Sequence, residues 1–166
     1  MSNYYECENG RPLIITSRED VYKDIDQFEV IPCAVLLTAW NIEVVHSDYW
    51  RSLAIFLIKK GCTYFVCAGT YAENLHDLID DIIFDQEGRA IATTYHEDET
   101  AEDVANFLVN ATDIGNKSNS GLIAIFDNVS PGDELIKNFL LTVQSHAKRK
   151  LAIQLGRNFK AGESSY

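Results

Sequence analysis

Cys67 closes the apolar run Cys62–Ala68 (CTYFVCA) and is followed by Ala68-Gly69-Thr70, where a helical pattern begins. A thiol at a strand end beside a helix N-terminus is placed to have a lowered pKa. The helix end supplies partial positive charge and N–H groups that can hold a thiolate or an oxyanion. His96 and Glu97 follow the next β-rich run, Ala90–Thr94. The competing expectation for Cys67 is packing, since cysteine is among the most buried residue types and CTYFVCA reads as a core strand.

Val66-Cys67-Ala68-Gly69, with a helix start behind it, resembles the cysteine elbow of the class I glutamine-amidotransferase-like superfamily, which includes intracellular proteases and deglycases. There the nucleophile sits on a C-A-G or C-x-G turn and a histidine follows the next strand. The resemblance implies a Cys67–His96 pair with Glu97 as orienter. It covers less than half of the chain, and two features depart from the pattern. The section that would carry a catalytic glutamate before the elbow is missing, and Leu37-Thr38-Ala39-Trp40 stands where a Gly-rich turn would help form the oxyanion hole.

Other chemistry finds less support. The chain contains no G-x-x-x-x-G-K-[ST], G-x-G-x-x-G or G-x-S-x-G, so ready-made nucleotide or serine-hydrolase chemistry is not expected. His46, His76, His96 and His146 are scattered without a cysteine or histidine at ligand spacing, so neither metal nor cofactor is expected. A small-molecule pocket would lie at the carboxyl ends of parallel strands. That rule collects Trp40, Asn41, Gly69, Thr70, Tyr71, Tyr95, Asp127 and Asn128.

The elements that would position these residues follow a repeating order. CAVLLTA (33–39), CTYFVCA (62–68), AIATT (90–94) and GLIAIFD (121–127) are nearly continuous apolar runs, as expected of strands covered on both faces. Each precedes a helical pattern with a start signal. These are Ser47 before DYWRSLAIFLIKK with Gly61 at its end, the Thr70-x-x-Glu73 capping box, Thr100-x-x-Asp103, and Ser130-Pro131. Leu75, Leu78, Ile79, Ile82 and Ile83 mark one apolar helix face, and Leu135, Ile136, Phe139, Leu140 and Val143 another. The alternation predicts a three-layer α/β domain, flavodoxin- or Rossmann-like. Its sheet would be mostly parallel, with four to six strands and helices on both faces. Residues 1–166 read as one domain: 1–31 form an N-terminal extension with RPLIITS (11–17) as a possible edge strand, and 161–166 a frayed tail. LAIQLG (151–156) fits strand or helix, and IGNKSNS (114–120) a loop.

Charge is the unusual property. The chain of 166 residues carries −11, and five of its fourteen bases lie between Lys148 and Lys160. The first 147 residues therefore hold 24 acids against 9 bases. Such a body repels nucleic acid, because phosphate binding needs a basic footprint. The polar, acidic start argues against a signal or transit peptide, and no apolar run is long enough for a membrane span. Four cysteines without C-x-x-C spacing suggest reduced thiols, and the expected location is cytoplasmic.

Asp77, Asp81 and Asp85 repeat every four residues opposite the apolar face, with Asp80 beside them. Like charges at that spacing repel, and carboxylates in a helix's last turns oppose its dipole. Glu97, Asp98, Glu99, Glu102 and Asp103 crowd the start of the next helix, where the dipole favours them. Small acidic bacterial-type domains that neutralise basic nucleases use such surfaces. The leading expectation is thus non-enzymatic: binding a basic protein partner as an inhibitor, immunity-type protein or assembly component. The alternative is a small cysteine-dependent hydrolase or ligand-binding domain.

Overall fold

The computed structural model describes residues 3–27, 32–86, 88–112, 120–127 and 130–142. The expectations for 114–119, 151–156 and 161–166, and for Asn128 and Val143, lie outside them. The strands are β1 (Asn3–Glu6), β2 (Pro12–Ser17), β3 (Cys33–Thr38), β4 (Cys62–Ala68), β5 (Ala92–His96) and β6 (Gly121–Phe126). The helices are α1 (Val21–Asp26), α2 (Ile42–Val45), α3 (Asp48–Lys59), α4 (Ala72–Phe84), α5 (Ala101–Asn106) and α6 (Pro131–Thr142), and a π-helical turn (Phe107–Ala111) extends α5. The strands form one sheet in the order β1-β2-β6-β3-β4-β5. β1 pairs antiparallel with β2, and every other pairing is parallel.

Continuous apolar runs become strands buried on both sides because alternate side chains point to opposite layers. All six residues of β3 and all six of β6 are buried. Val35, Leu37, Ile123, Ile125, Phe65 and Cys67 face a layer built by α1, α2, α3 and α4. Their neighbours Ala34, Leu36, Leu122, Ala124, Val66 and Ala68 face α5, the π-helical turn and α6. Each fully buried Leu, Ile or Phe contributes roughly 1.5–3 kcal/mol, so the two interfaces dominate the stability. Crossovers on the first layer step toward β5, while the one through α5 returns toward β1, as a uniform hand requires.

Several details differ from the sequence expectations. The stretch 11–17 is not an edge: β2 lies between β1 and β6. Residues 3–6 (NYYE) lack the apolar run that marks a buried strand, yet they pair because the turn through Gly10 (φ +81°) folds them back. Buried Arg11 ties this turn to the second layer, its Nη1 donating to the Val109 carbonyl (3.1 Å) and to Thr112 Oγ1 (2.9 Å). β5 begins at Ala92, two residues later than the apolar pattern suggests, where pairing with Tyr64 becomes possible.

The expectation of reduced thiols is overturned for two of the four cysteines. Cys33 and Cys62 are joined as a disulfide between β3 and β4, with Cα atoms 4.6 Å apart. They are register partners, and a shift of one residue after them puts Cys62 and Phe65 on the same layer. No sequence spacing encodes that juxtaposition. Cys7 and Cys67 are free and buried.

The expected helix starts form at some positions and not at others. Thr100 Oγ1 accepts from Asp103 N (3.1 Å), Ser130 Oγ accepts from Gly132 N (3.2 Å), and Ser47 stands at the N-cap of α3 in extended backbone. The Thr70–Glu73 capping box does not form, since Tyr71 is the N-cap of α4 and no side chain caps it. A tertiary contact sets this start instead. Tyr71 N donates to the Ala39 carbonyl (2.9 Å), and Ala39 N donates to the Ala68 carbonyl (2.8 Å). Gly69 makes the crossing with φ +102°, and a Cβ there would lie 2.6 Å from the Ala39 oxygen.

Gly69→Ala should therefore destabilise the protein by about 2–3 kcal/mol, strain and clash together. Gly10→Ala, at φ +81° with open space around it, should cost only about 1 kcal/mol. Urea titrations of both variants measure the difference.

Candidate functional site

The nucleophile–base pair is the first arrangement to test. Cys67 pairs in register with Tyr95, and Ala68 with His96. Cys67 therefore belongs to the α3–α4 layer, whereas the His96 ring packs on Phe107 of the opposite layer at a centroid distance of 4.4 Å. The sheet separates them, and the structure does not bring the two together. Cys67 is 0% exposed. Burial pushes its thiol well above the ordinary range, with the Asp80 charge adding to the rise, the opposite of an activated nucleophile. The helix that was to lower that pKa is α4, but the strand runs on through Ala68 before turning. His96 Nδ1 lies 2.8 Å from Glu99 Oε2, and Nε2 lies 3.1 Å from Thr94 Oγ1. Glu99, not Glu97, is thus the carboxylate at this ring.

The strand ends do form concavities. A cleft of about 250 Å³ on the α5–α6 side is lined by Trp40, Gly69, His96, Glu97, Glu99 and Leu135, among others. Of the eight predicted pocket residues it includes Trp40 and Gly69. Two of its bordering groups are bonded to each other. Trp40 Nε1 donates to Asp133 Oδ1 (2.7 Å), and the other oxygen of this buried carboxylate accepts from Asp127 N (2.8 Å). Gly132 is needed beneath Trp40, since a Cβ there would meet the indole at 2.3 Å.

A larger cleft, about 570 Å³, opens at the ends of β2, β3 and β6 and is lined by Arg18, Glu19, Glu43, Ser47, Tyr49 and Asp127. Adjacent β6 and β3 lead to opposite layers there, the switch point at which open α/β sheets take ligands. Arg18 lies 3.3 Å from Asp127 Oδ2 and stacks 4.5 Å from the Trp50 ring centroid. Tyr49 donates to the Arg18 carbonyl (2.9 Å), and burial pushes its hydroxyl pKa up to about 12. Of the remaining predicted residues, Asn41 accepts from Glu43 N (2.9 Å), Thr70 is exposed, Tyr71 packs against the first layer, and Tyr95 stacks edge-on to His76. Arg18 and Tyr49 were missed because neither follows a strand with an obvious motif. A lone base just after an apolar run was the only signal.

The acidic surface is where the sequence places it. Leu75, Ile79 and Ile82 turn α4 onto the sheet, and Asp77, Asp80, Asp81 and Asp85 are exposed on its outer side. His76 sits between Asp77 (3.4 Å) and Asp80 (3.5 Å), and Asp80 Oδ1 accepts from Thr93 Oγ1 (2.6 Å). Asp77 and Asp81 border a shallow cleft with His46, Arg51 and Asn74. Among the described residues, no lysine or arginine makes an ion pair with any of these four aspartates. Glu97, Asp98, Glu99, Glu102 and Asp103 are likewise exposed; Glu99 meets His96 and Asp103 belongs to the α5 cap. Two aromatic side chains border this side: Phe84, 89% exposed at the end of α4, and Tyr95, 47% exposed on β5. Phe84 lies off the apolar face of its helix, which helical periodicity alone would have revealed.

The family described as a domain of unknown function, DUF7684, matches residues 15–149, most of the chain, and the chain belongs to it. The match begins inside β2. No curated protein matches the chain.

In a Cys7→Ala variant with the disulfide intact, the native thiol of Cys67 should react with an alkylating reagent only as fast as the protein unfolds. Urea should accelerate that labelling by orders of magnitude. Labelling within seconds at neutral pH would restore the nucleophile.

Proposed function

We propose that this DUF7684 protein is a non-enzymatic binding domain that captures a basic protein partner on the face formed by α4, β5 and the start of α5. The carrying observation is the set of solvated carboxylates, Asp77, Asp81, Asp85, Glu97, Asp98 and Glu102, without lysine or arginine partners among the described residues. Those on α4 repel one another and oppose the helix dipole, a local cost that complementary charge on a partner would offset. Opposite charge speeds encounter and rejects wrong partners, while exposed aromatic rings such as Phe84 and Tyr95 supply apolar anchors. No helix among the described residues is long and apolar enough to cross a membrane. An Asp77→Lys/Asp81→Lys variant should capture roughly tenfold less partner at low salt, with an unchanged circular dichroism spectrum. Equal capture by that variant would remove this reading.

A second reading, a small-ligand domain, is favoured by the cleft at the switch point between β6 and β3. Its rim of Glu19 and Glu43 beside the Tyr49 ring, with Asp127 held by Arg18, suits a cationic group on an apolar body. Primary-amine fragments should shift the Tyr49 ring resonances in the parent and not in a Glu19→Gln/Glu43→Gln variant. Unmoved resonances in the parent would dispose of this reading.

A further inference from the structure

β5 ends the sheet, and among the described residues only β4 pairs with it. In a parallel strand, alternate residues turn both backbone groups away from the neighbour, so β5 presents outward N–H and C=O groups without a strand partner. Natural edges are usually guarded by lysine, proline, a bulge or a covering segment. β5 reads Ala-Thr-Thr-Tyr-His, has no lysine or proline, and pairs with β4 without a register shift. Its threonines and tyrosine are strong strand formers.

The surroundings of this edge are sorted by face. On the α4 side stand His76, Asp77 and Asp80, with Asp80 bonded to Thr93 of β5 itself and Tyr95 against His76. On the other side lies Phe107, packed on His96 and Tyr64. Glu97 and Asp98 follow at the carboxyl end. A strand added here would place every second side chain among carboxylates and the ones between them over an aromatic ring.

We propose that the β5 edge is a docking site for an extended basic segment of the partner, which adds a strand to the sheet and alternates Lys or Arg on the α4 side with apolar residues over Phe107. This rests on the acidic-face reading above and specifies how that face is engaged. Main-chain hydrogen bonds give such pairing its affinity, and the alternating side chains give it specificity. Among the described residues, no strand pairs with the outer side of β5.

The test uses the full chain and a short synthetic peptide alternating Lys or Arg with Val, compared with the same peptide N-methylated at every second backbone amide. The expected result is that the parent peptide slows hydrogen exchange of outward-facing amides between Ala92 and His96 by roughly tenfold or more. The methylated peptide should bind at least roughly tenfold more weakly, because it keeps the charge and loses the pairing. Equal binding of both peptides, abolished by Asp77→Lys/Asp81→Lys, would overturn strand addition and leave the acidic-face reading standing. Absence of binding by either peptide, or protection of these amides in the free protein, would also overturn it. Protection in the free protein would mean that the chain itself covers the edge.

Discussion

Every side chain on the inner strands must find cover, because helices close both faces of the sheet and no water remains there to solvate a polar group. That requirement, together with the strict alternation of a β-strand, organises the molecule. It makes β6 apolar throughout and β3 apolar up to the buried Thr38 at its end, and divides the core into two interfaces of complementary residues. It also assigns each strand-end residue to a layer before any chemistry is considered. Cys67 and His96 are one register step apart, and that step is enough to put the sheet between them.

The same constraint explains why the strand ends are so well bonded internally. Trp40 and Asp127 emerge from β3 and β6 toward the layer of α6, and the buried Asp133 carboxylate accepts from both. A buried charge is tolerable only when hydrogen bonds surround it. This network holds the start of α6 against the ends of two strands. His96 is held by a hydrogen bond with Thr94 and lies beside the Glu99 carboxylate. Groups that looked like free catalytic donors in the sequence are occupied in stabilising the upper rim of the fold.

The proposed function falls on surfaces where alternation and burial make no demand. The outer side of α4 is one, and the outward row of β5 is another, and the two adjoin. An unguarded edge strand is a hazard in isolation, since it offers unpaired backbone groups to any extended chain. Surrounding it with carboxylates restricts who can approach, because an acidic or neutral strand gains little and a basic one gains twice. On the proposed reading, charge on this face acts as a filter for an edge that would otherwise be promiscuous.

The sequence by itself determined the layered architecture, most element positions, the caps at Thr100 and Ser130 and the acidic side of α4. These depend on local periodicity and on hydrogen bonds that span only a few residues. Only the tertiary structure decided the rest. The start of α4 depends on the Ala39 carbonyl rather than on Thr70, and the Cys33–Cys62 bond on strand register. The place of β2 inside the sheet depends on the hairpin through Gly10, and the separation of Cys67 from His96 on side-chain alternation across paired strands. Each of these is a relation between residues distant in the chain, and such relations exist only once strands have chosen their neighbours and their register.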